Sequence, residues 1–275
     1  MAAAVFGSPL KALIRLLAYG GLTLLLMPVQ VFAVLFDLEL KRTLPIWYHG
    51  KCCQILGFRV EVRGPRSTAH PTLYVCNHVS YLDIMILGSL IKGSFVAKSE
   101  VAGWPLFGWL ARLQRSVFIE RRGLKAARHR DALNQRLEDG DDLILFPEGT
   151  SGDGNQVLPF KSALFSVAER RPHDMPLLVQ PVSIAYTRLD GVPMGRYLRP
   201  LFAWYGDMKM GGHLWHVAGL GWATVVVEFH PPATIEAYGS RKMLSDYCQG
   251  RVAAGMSAAL SGRPQQPPRP GAAAA

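Results

Sequence analysis

Charge and cysteine are both scarce in this sequence. Only 18% of its 275 residues are charged, whereas 49% are hydrophobic, a balance that excludes a disordered or fibrous chain and indicates that some surface meets lipid. The four cysteines form no C-x-x-C pair and have no zinc-type spacing. We therefore expect neither a disulfide framework nor a zinc site, and a reducing cytoplasm is the default compartment.

Negative charge is scarcer than positive charge. Lys and Arg number 30 against 20 for Asp and Glu, which gives a formal net charge of +10. Such an excess suits an anionic partner: a nucleic acid, a phospholipid surface or an acidic substrate. The basic residues are scattered and no DNA- or RNA-binding motif occurs, so we do not expect a nucleic-acid partner.

One long run, from Leu16 to Phe36, has no charged residue at all. Its length of about 20 residues matches the roughly 30 Å of bilayer hydrocarbon. Three interpretations remain open: a cleaved signal peptide, which the lack of an A-x-A site disfavours, a single spanning helix, or a re-entrant or interfacial helix pair bent near Pro28. Either of the last two would tether the rest of the chain to a membrane.

The remainder alternates short apolar runs with helical patterns, which predicts an α/β fold with a mostly parallel sheet flanked by helices. The predicted strands are 58–62, 72–76, 94–97, 116–119, 143–146, 177–185 and 224–229. The predicted helices are 83–90, 108–113, 126–138, 161–170 and 241–260. Residues 191–221, rich in Gly and aromatic residues, receive no assignment.

A histidine and an aspartate follow the second predicted strand, in the segment Asn77-His78-Val79-Ser80-Tyr81-Leu82-Asp83. On a regular helix, residues five apart point about 140° away from each other and cannot meet. Ser80 and Asp83, however, have the spacing of a capping box, which would leave His78 in the turn before a helix. Asp83 could then hold one imidazole nitrogen and leave the other as a base. The alternative is a capping aspartate beside an unrelated histidine.

Three further segments place charge next to predicted strands or helices. The turn Phe146-Pro147-Glu148-Gly149-Thr150 offers exposed amides and one carboxylate, and the two arginines after Val117–Glu120 could grip a phosphate. Lys161 precedes a predicted helix, whose N-terminus could face an anion. A fourth segment, Val179–Val182, has a proline inside an apolar run and predicts an edge strand or a break. Each of these could equally be structural.

In chain order, four of these segments resemble the four motif blocks of the glycerolipid acyltransferase family, of the bacterial 1-acyl-sn-glycerol-3-phosphate acyltransferase type. The matching residues are Asn77, His78 and Asp83 in an NHxxxxD block, Phe118 and Arg121 in the second, Phe146 to Thr150 in an FPEGT block, and Val179, Pro181 and Val182 in the fourth. The run from Asn77 to Ile84, with residues 98–115, also resembles the lyso-ornithine lipid acyltransferase branch.

The resemblance implies transfer of an acyl group from acyl-CoA or acyl carrier protein to a lysolipid hydroxyl, without a metal or a prosthetic group. His78 would be the base and Asp83 would orient it. Amides of the turn at Gly149 would stabilise the developing oxyanion. The implied substrate-binding residues are Asn77, Phe118, Arg121, Glu148, Gly149, Thr150 and Lys161. No G-x-S-x-G element suggests a serine nucleophile.

The resemblance leaves the acceptor open between two lysolipids. The first expectation is 1-acyl-sn-glycerol-3-phosphate, giving phosphatidic acid; the alternative is a lyso-ornithine lipid. The run Lys161-Ser162-Ala163-Leu164-Phe165 departs from the Lys-Lys-Gly-Ala-Phe-like run of many phosphatidic-acid-forming enzymes. Two other classes compete: a non-catalytic membrane lipid-binding protein, and a thioesterase that releases acyl groups to water.

The predicted organisation has three parts. Residues 1–45 form a membrane anchor, residues 46–261 form the catalytic domain, and residues 262–275, rich in Pro, Gln and Ala, form a disordered tail. The resemblance implies a bacterial-type inner membrane location, with the catalytic domain facing the cytoplasm.

Overall fold

The computed structural model describes residues 7–104, 107–119 and 133–262. The strands are β1 (Phe58–Arg63), β2 (Thr72–Cys76), β3 (Gly93–Lys98), β4 (Val117–Ile119), β5 (Asp142–Leu145), β6 (Leu178–Leu189), β7 (Val192–Pro193) and β8 (Ala223–Phe229). The α-helices are α1 (Pro9–Leu35), α2 (Leu40–Leu56), α3 (Leu82–Gly88), α4 (Phe107–Leu113), α5 (133–138), α6 (Met210–Gly219), α7 (Ile235–Tyr238) and α8 (Arg241–Ser261). Four 3₁₀ segments lie at Ser99–Gly103, Ser162–Glu169, Pro172–Asp174 and Arg199–Leu201.

These strands form one sheet in the order β1-β8-β6-β2-β5-β3-β4, with β7 paired to β6. From β6 to β4 the neighbours are parallel, whereas β8 runs antiparallel to β6 and carries β1 parallel to itself. The predicted α/β class with a mostly parallel sheet is therefore confirmed. Because the ends of parallel strands meet at one edge, the turns after β2 and β5 are neighbours.

The proline in β6 does not mark an edge or a break, as the sequence suggested. Strand β6 is central, between β8 and β2. Pro181 pairs with Val75 of β2 on one side, and on the other side the ladder with β8 begins one residue later, at Val182. The Pro181 carbonyl accepts the N–H of His230 at 2.9 Å. The missing N–H is tolerated because Pro181 lies just outside the β8 ladder.

The core has two layers, one on each face of the sheet. Along β2, Leu73 and Val75 face one layer while Tyr74 and Cys76 face the other, the period-two pattern of a strand buried on both faces. The layer around Tyr74 includes residues of α1, α2, α3 and α6. The layer around Leu73 includes residues of α8 and of the 3₁₀ segment Ser162–Glu169.

The N-terminal segment consists of two helices. Helix α1 runs for 27 residues and continues without a break past Pro28. The chain turns at residues 36–39, after Pro28, and continues as α2. Within the described ranges, α1 is the one helix long and apolar enough to cross a membrane, and only 11% of its most apolar window is buried. Arg15 fastens α1 to the end of α6, because its guanidinium donates to the carbonyls of Ala218, Leu220 and Gly221 at 2.9–3.2 Å.

Some segments differ from the sequence prediction or fall outside the description. Residues 191–221, left unassigned, contain β7, a 3₁₀ turn and α6. The helix predicted at 161–170 is of the 3₁₀ type. The first part of the helix predicted at 126–138, and the tail beyond residue 262, lie outside the described residues.

Candidate active site

The turn after β2 brings His78 and Asp83 into contact. His78 Nδ1 lies 2.9 Å from Asp83 Oδ2, with the imidazole side chain 20% exposed and the carboxylate fully buried. Because the carboxylate accepts a hydrogen bond from Nδ1–H, the Nε2 atom of the neutral ring carries a free lone pair. Within the described residues Nε2 has no hydrogen-bond partner. The pair can therefore act as a general base towards a molecule that enters from solvent.

Asp83 is held by backbone as well as by the histidine. Its Oδ2 accepts the N–H groups of Val79 and Ser80 at 2.7 and 3.0 Å. The predicted capping box is thus half formed: the acid reaches back to the Ser80 amide, but the Ser80 hydroxyl makes no hydrogen bond with any described residue. Tyr81 occupies the N-cap position of α3 instead.

Tyr186 on β6 completes the environment of Asp83, and the sequence did not reveal it. Its buried hydroxyl donates to Asp83 Oδ1 at 2.9 Å. Burial and the charge of Asp83 raise the pKa of Tyr186 well above its ordinary value, so the phenol stays a donor. With this bond the two oxygens of Asp83 accept four donors, an arrangement that suits the ionised carboxylate.

Glu148 supports His78 instead of facing an opening. The side chain is 2% exposed, and its Oε1 accepts the backbone N–H of His78 at 3.2 Å. Burial raises the pKa of Glu148 to about 8, and the charge of Asp83 adds to that effect. The expected contact with the acceptor head group stays a prediction. The carboxyl helps to fix the turn that carries the imidazole.

Asn77 is also turned inward, away from any substrate. Its Oδ1 accepts the N–H of Ile184 at 2.9 Å and its Nδ2 donates to the carbonyl of Ile184 at 3.0 Å. The residue is 1% exposed. Asn77 therefore joins the end of β2 to β6, while a contact with substrate stays a prediction.

The remaining predicted substrate residues are dispersed. Gly149, at φ +66°, donates its N–H to the Phe146 carbonyl at 3.1 Å, so this amide is not open to an oxyanion. Thr150 is exposed on the same turn. Lys161 is exposed as well, and its charge opposes the effect of burial on the pKa of Glu148.

The second block lies farther from the histidine. Phe118 is on the edge strand β4, three strands from β2, a separation of about 14 Å at the usual strand spacing. Arg121 lies outside the described residues.

Stacked rings link His78 to a cavity. The imidazole stacks on Phe146 with centroids 4.0 Å apart, and Phe146 stacks on Phe95 at 6.2 Å. Phe95 lines a cavity of about 220 Å³ enclosed mainly by apolar side chains of α1, α2, α3, α4 and α6. Tyr81, three residues after His78, lines it too. An apolar chain in this cavity would lie beside the turn that carries His78.

Metal ligation has no candidate in the part of the chain that the structure describes. No group of three or more His, Cys, Asp or Glu residues there is arranged to hold a metal ion. The four cysteines are buried and free, and burial raises the pKa of the Cys76 thiol well above its ordinary value.

Comparison with known proteins finds acyltransferases throughout. A family model described as "Acyltransferase" matches residues 59–185. The lyso-ornithine lipid O-acyltransferase of Rhizobium meliloti (strain 1021) is 42% identical over 245 residues, 88% of this chain and 84% of that enzyme. The enzyme of the same name from Brucella abortus (strain 2308) is 42% identical over 250 residues, 90% of this chain and 94% of that enzyme.

Other relatives are more distant. The 1-acyl-sn-glycerol-3-phosphate acyltransferase of Neisseria gonorrhoeae is 30% identical over 202 residues, 72% of this chain and 75% of that enzyme. The crystal structure of a 1-acyl-sn-glycerophosphate acyltransferase from Thermotoga maritima matches with a TM-score of 0.62 at 23% identity. That match covers 94% of this chain and 97% of the other, and it shows a shared fold.

Proposed function

The chain belongs to the acyltransferase family and is an acyltransferase of the lysolipid type, and on that premise we propose that it is a lyso-ornithine lipid O-acyltransferase. One observation carries this choice of acceptor: the 42% identity to two lyso-ornithine enzymes, over 84% and 94% of their length, against 30% to an enzyme named for 1-acyl-sn-glycerol-3-phosphate. The phosphatidic-acid-forming interpretation, placed first from the sequence, therefore takes second place.

The proposed chemistry is direct transfer from a thioester, with acyl-CoA or acyl carrier protein as donor. His78 Nε2 takes the proton of the lysolipid hydroxyl while the hydroxyl oxygen forms a bond to the carbonyl carbon of the thioester. The carbon–sulfur bond then breaks, and the thiolate receives the proton from the imidazolium. Asp83 holds the ring by Nδ1 and stabilises its positive form, a role supported by the 2.9 Å contact.

We further propose that the enzyme works at a membrane surface. Helix α1 exposes large apolar side chains to the surroundings, among them Leu17, Leu24 and Leu25, each at least 67% exposed. Such a patch is unfavourable in water and favourable in lipid. Because the proposed donors are cytoplasmic molecules, the catalytic turn would face the cytoplasm of a bacterial cell.

An acceptor panel tests the proposal. The full-length protein in detergent micelles is incubated with labelled acyl-CoA or acyl carrier protein donors and with lyso-ornithine lipid, lysophosphatidic acid or lysophosphatidylcholine. We expect acylated ornithine lipid at a kcat/KM about tenfold or more above that for the other acceptors. A preference for lysophosphatidic acid would overturn the choice of acceptor. Free fatty acid without acylated lipid would indicate a thioesterase, and no product would indicate a binding protein.

A further inference from the structure

Two buried polar side chains line the cavity that lies beside the turn carrying His78. Gln30 of α1 and His49 of α2 line it and are 7% and 6% exposed. Gln30 Oε1 and His49 Nδ1 have no hydrogen-bond partner in the described part of the chain. A buried polar atom without a partner is costly, so these two atoms require explanation in a cavity that is otherwise largely apolar.

The orientation of Gln30 is fixed by its other contacts. Its Nε2 donates to the carbonyl of Lys41 at 3.0 Å and to that of Leu113 at 2.8 Å. Two carbonyls can be satisfied only by the NH₂ group, so the side-chain oxygen faces away from them. Gln30 therefore presents an open acceptor at its end of the cavity.

His49 presents a second acceptor nearby. Its Nε2 lies 2.8 Å from Gln114 Oε1, and since that oxygen only accepts, the ring proton is on Nε2. Burial lowers the pKa of His49 to about 4, so the ring is neutral at physiological pH and Nδ1 keeps its lone pair. Leu113 and Gln114 are consecutive, and Gln114 also lines a small pocket with Gly93 and Ser94 at the amino end of β3, so both side chains are held near that end of the strand. His78, in contrast, follows the carboxyl end of β2, which runs in the same direction as β3.

Elsewhere along the wall, polar groups satisfy each other. Thr23 Oγ1 donates to the Tyr19 carbonyl at 2.7 Å and accepts from the Tyr48 hydroxyl at 2.8 Å. Tyr81 and Phe95, by contrast, lie near His78: Tyr81 follows it by three residues, and Phe95 stacks on Phe146, which stacks on the imidazole. The cavity thus offers an apolar path that begins near the reacting atoms and finishes at unpaired acceptors.

We propose that this cavity binds the acyl chain of the donor and prefers a chain that carries a hydroxyl group far from its thioester. The hydroxyl donates a hydrogen bond to Gln30 Oε1, while the methylene groups between it and the thioester occupy the apolar path. The inference rests on the proposed acyl transfer and adds a chain specificity to it. A hydroxyl at carbon 3 would stay beside the thioester and gain nothing from Gln30.

The test compares chains of one length that differ in a single hydroxyl. Binding of free octadecanoate, 3-hydroxyoctadecanoate and 12-hydroxyoctadecanoate to the full-length protein in micelles is measured by calorimetry, and kcat/KM is measured with the matching CoA thioesters. We expect the 12-hydroxy chain to be favoured about tenfold over the other two, as one restored buried hydrogen bond predicts. Equal binding of all three acids would overturn the inference.

Variants identify the responsible atom. Gln30→Met removes the acceptor but keeps an unbranched side chain, and should bring the 12-hydroxy to octadecanoate ratio close to one. Met27→Leu, on the same wall of α1, is the matched control and should keep the ratio. If Gln30→Met keeps the wild-type preference for the 12-hydroxy chain, Gln30 Oε1 is not the acceptor of the hydroxyl and the inference is wrong. If that variant fails to fold, the wild-type protein still decides: a preference for the 12-hydroxy chain over both octadecanoate and 3-hydroxyoctadecanoate supports the inference, and equal use of the three contradicts it.

The outcomes also separate this inference from the proposed function. Transfer of octadecanoyl groups with no hydroxyl preference leaves the function standing and removes the specificity. Preferential binding of the 12-hydroxy acid without transfer to any acceptor leaves the cavity assignment standing and removes the function.

Discussion

Two histidine–aspartate pairs lie at opposite ends of the neighbouring strands β2 and β5. At the amino end, His70 Nδ1 is 2.9 Å from Asp142 Oδ1; at the carboxyl end, His78 Nδ1 is 2.9 Å from Asp83 Oδ2. The two contacts have equal length, yet their surroundings differ. The His70 side chain is 55% exposed, whereas that of His78 is 20% exposed and stacked on Phe146.

The two carboxylates differ more than the two histidines. Asp142 Oδ1 accepts from His70 and from the N–H of Thr72, while Asp83 accepts four donors, including Tyr186. The cavity and Glu148 also adjoin the second pair. A histidine–aspartate distance therefore does not identify a catalytic base; the bonds that fix the acid, and the space beside the ring, do.

The largest expected effect separates the two pairs directly. His78→Ala should lower kcat for acyl transfer by about 10²–10⁴-fold, the usual contribution of a general base. His70→Ala, the matched control, should change kcat less than about threefold, because its ring binds an acid at the opposite edge of the sheet. The measurement is transfer of labelled acyl groups by each purified variant, with circular dichroism to check the fold. Equal losses in the two variants would contradict the distinction between the pairs.

The second effect concerns Glu148, the extra acid at the carboxyl end. Its pKa rises from an ordinary 4.5 to about 8 on folding. Between these values the unfolded chain releases a proton that the folded chain retains, so the free energy of unfolding falls by up to about 1.4 kcal/mol per pH unit as pH rises. The free energy of unfolding of Glu148→Gln does not fall in this way, because the amide does not titrate. Its stability relative to wild type should therefore rise by several kcal/mol between pH 4.5 and pH 8.

Thermal unfolding of both proteins across that pH range measures the difference. The amide introduced by Glu148→Gln keeps an oxygen for the N–H of His78, so the two proteins should be closest in stability at the acid end. Parallel stability curves would show that Glu148 titrates at its ordinary pKa and is less buried than the structure indicates.

The smallest effect tests the donor to Asp83 Oδ1. Tyr186→Phe removes the hydroxyl but keeps the ring, which stacks on Phe202 with centroids 5.4 Å apart. We expect kcat to fall about tenfold with little change in KM, because one hydrogen bond to a charged group is lost and the imidazole is held less firmly. The pH dependence of kcat should shift as well, which a purely structural role would not produce.

Tyr74→Phe is the matched control for that variant. Tyr74 is equally buried on β2, and its hydroxyl has no hydrogen-bond partner among the described residues. Removing it should leave kcat and its pH profile unchanged. An unchanged pH profile in Tyr186→Phe would remove Tyr186 from the positioning of the base.

The sheet was predictable because its strands are short apolar runs between turn residues, and all seven predicted strands occur. The helices were predicted less well where local signals misled. Pro28 suggested a bend, but α1 continues through it. Helix α6 was missed because Gly211 and Gly212 lie in its first turn and Lys209 supplies no side-chain cap.

The candidate site was predictable only where its residues are close in sequence. His78 and Asp83 lie five residues apart, so their spacing could be read directly. Tyr186 is 103 residues from Asp83, and nothing local distinguishes it from other tyrosines. Asn77 and Glu148 were predicted as substrate ligands from the family resemblance of their motifs, and only the fold shows their side chains turned inward.

Arg15 binds α1 to the end of α6, and α1 forms one wall of the cavity. Helix α1 is therefore an integral part of the folded domain and not a separate anchor joined to it by a flexible linker. Deleting α1 would remove one wall of the cavity in which we propose that the acyl chain binds, so we do not expect the truncated protein to be an active water-soluble enzyme. In the membrane-bound enzyme that we propose, the packing of α1 therefore sets the distance of His78 from the lipid, and a water-soluble form would be made by placing polar side chains on the outer face of α1.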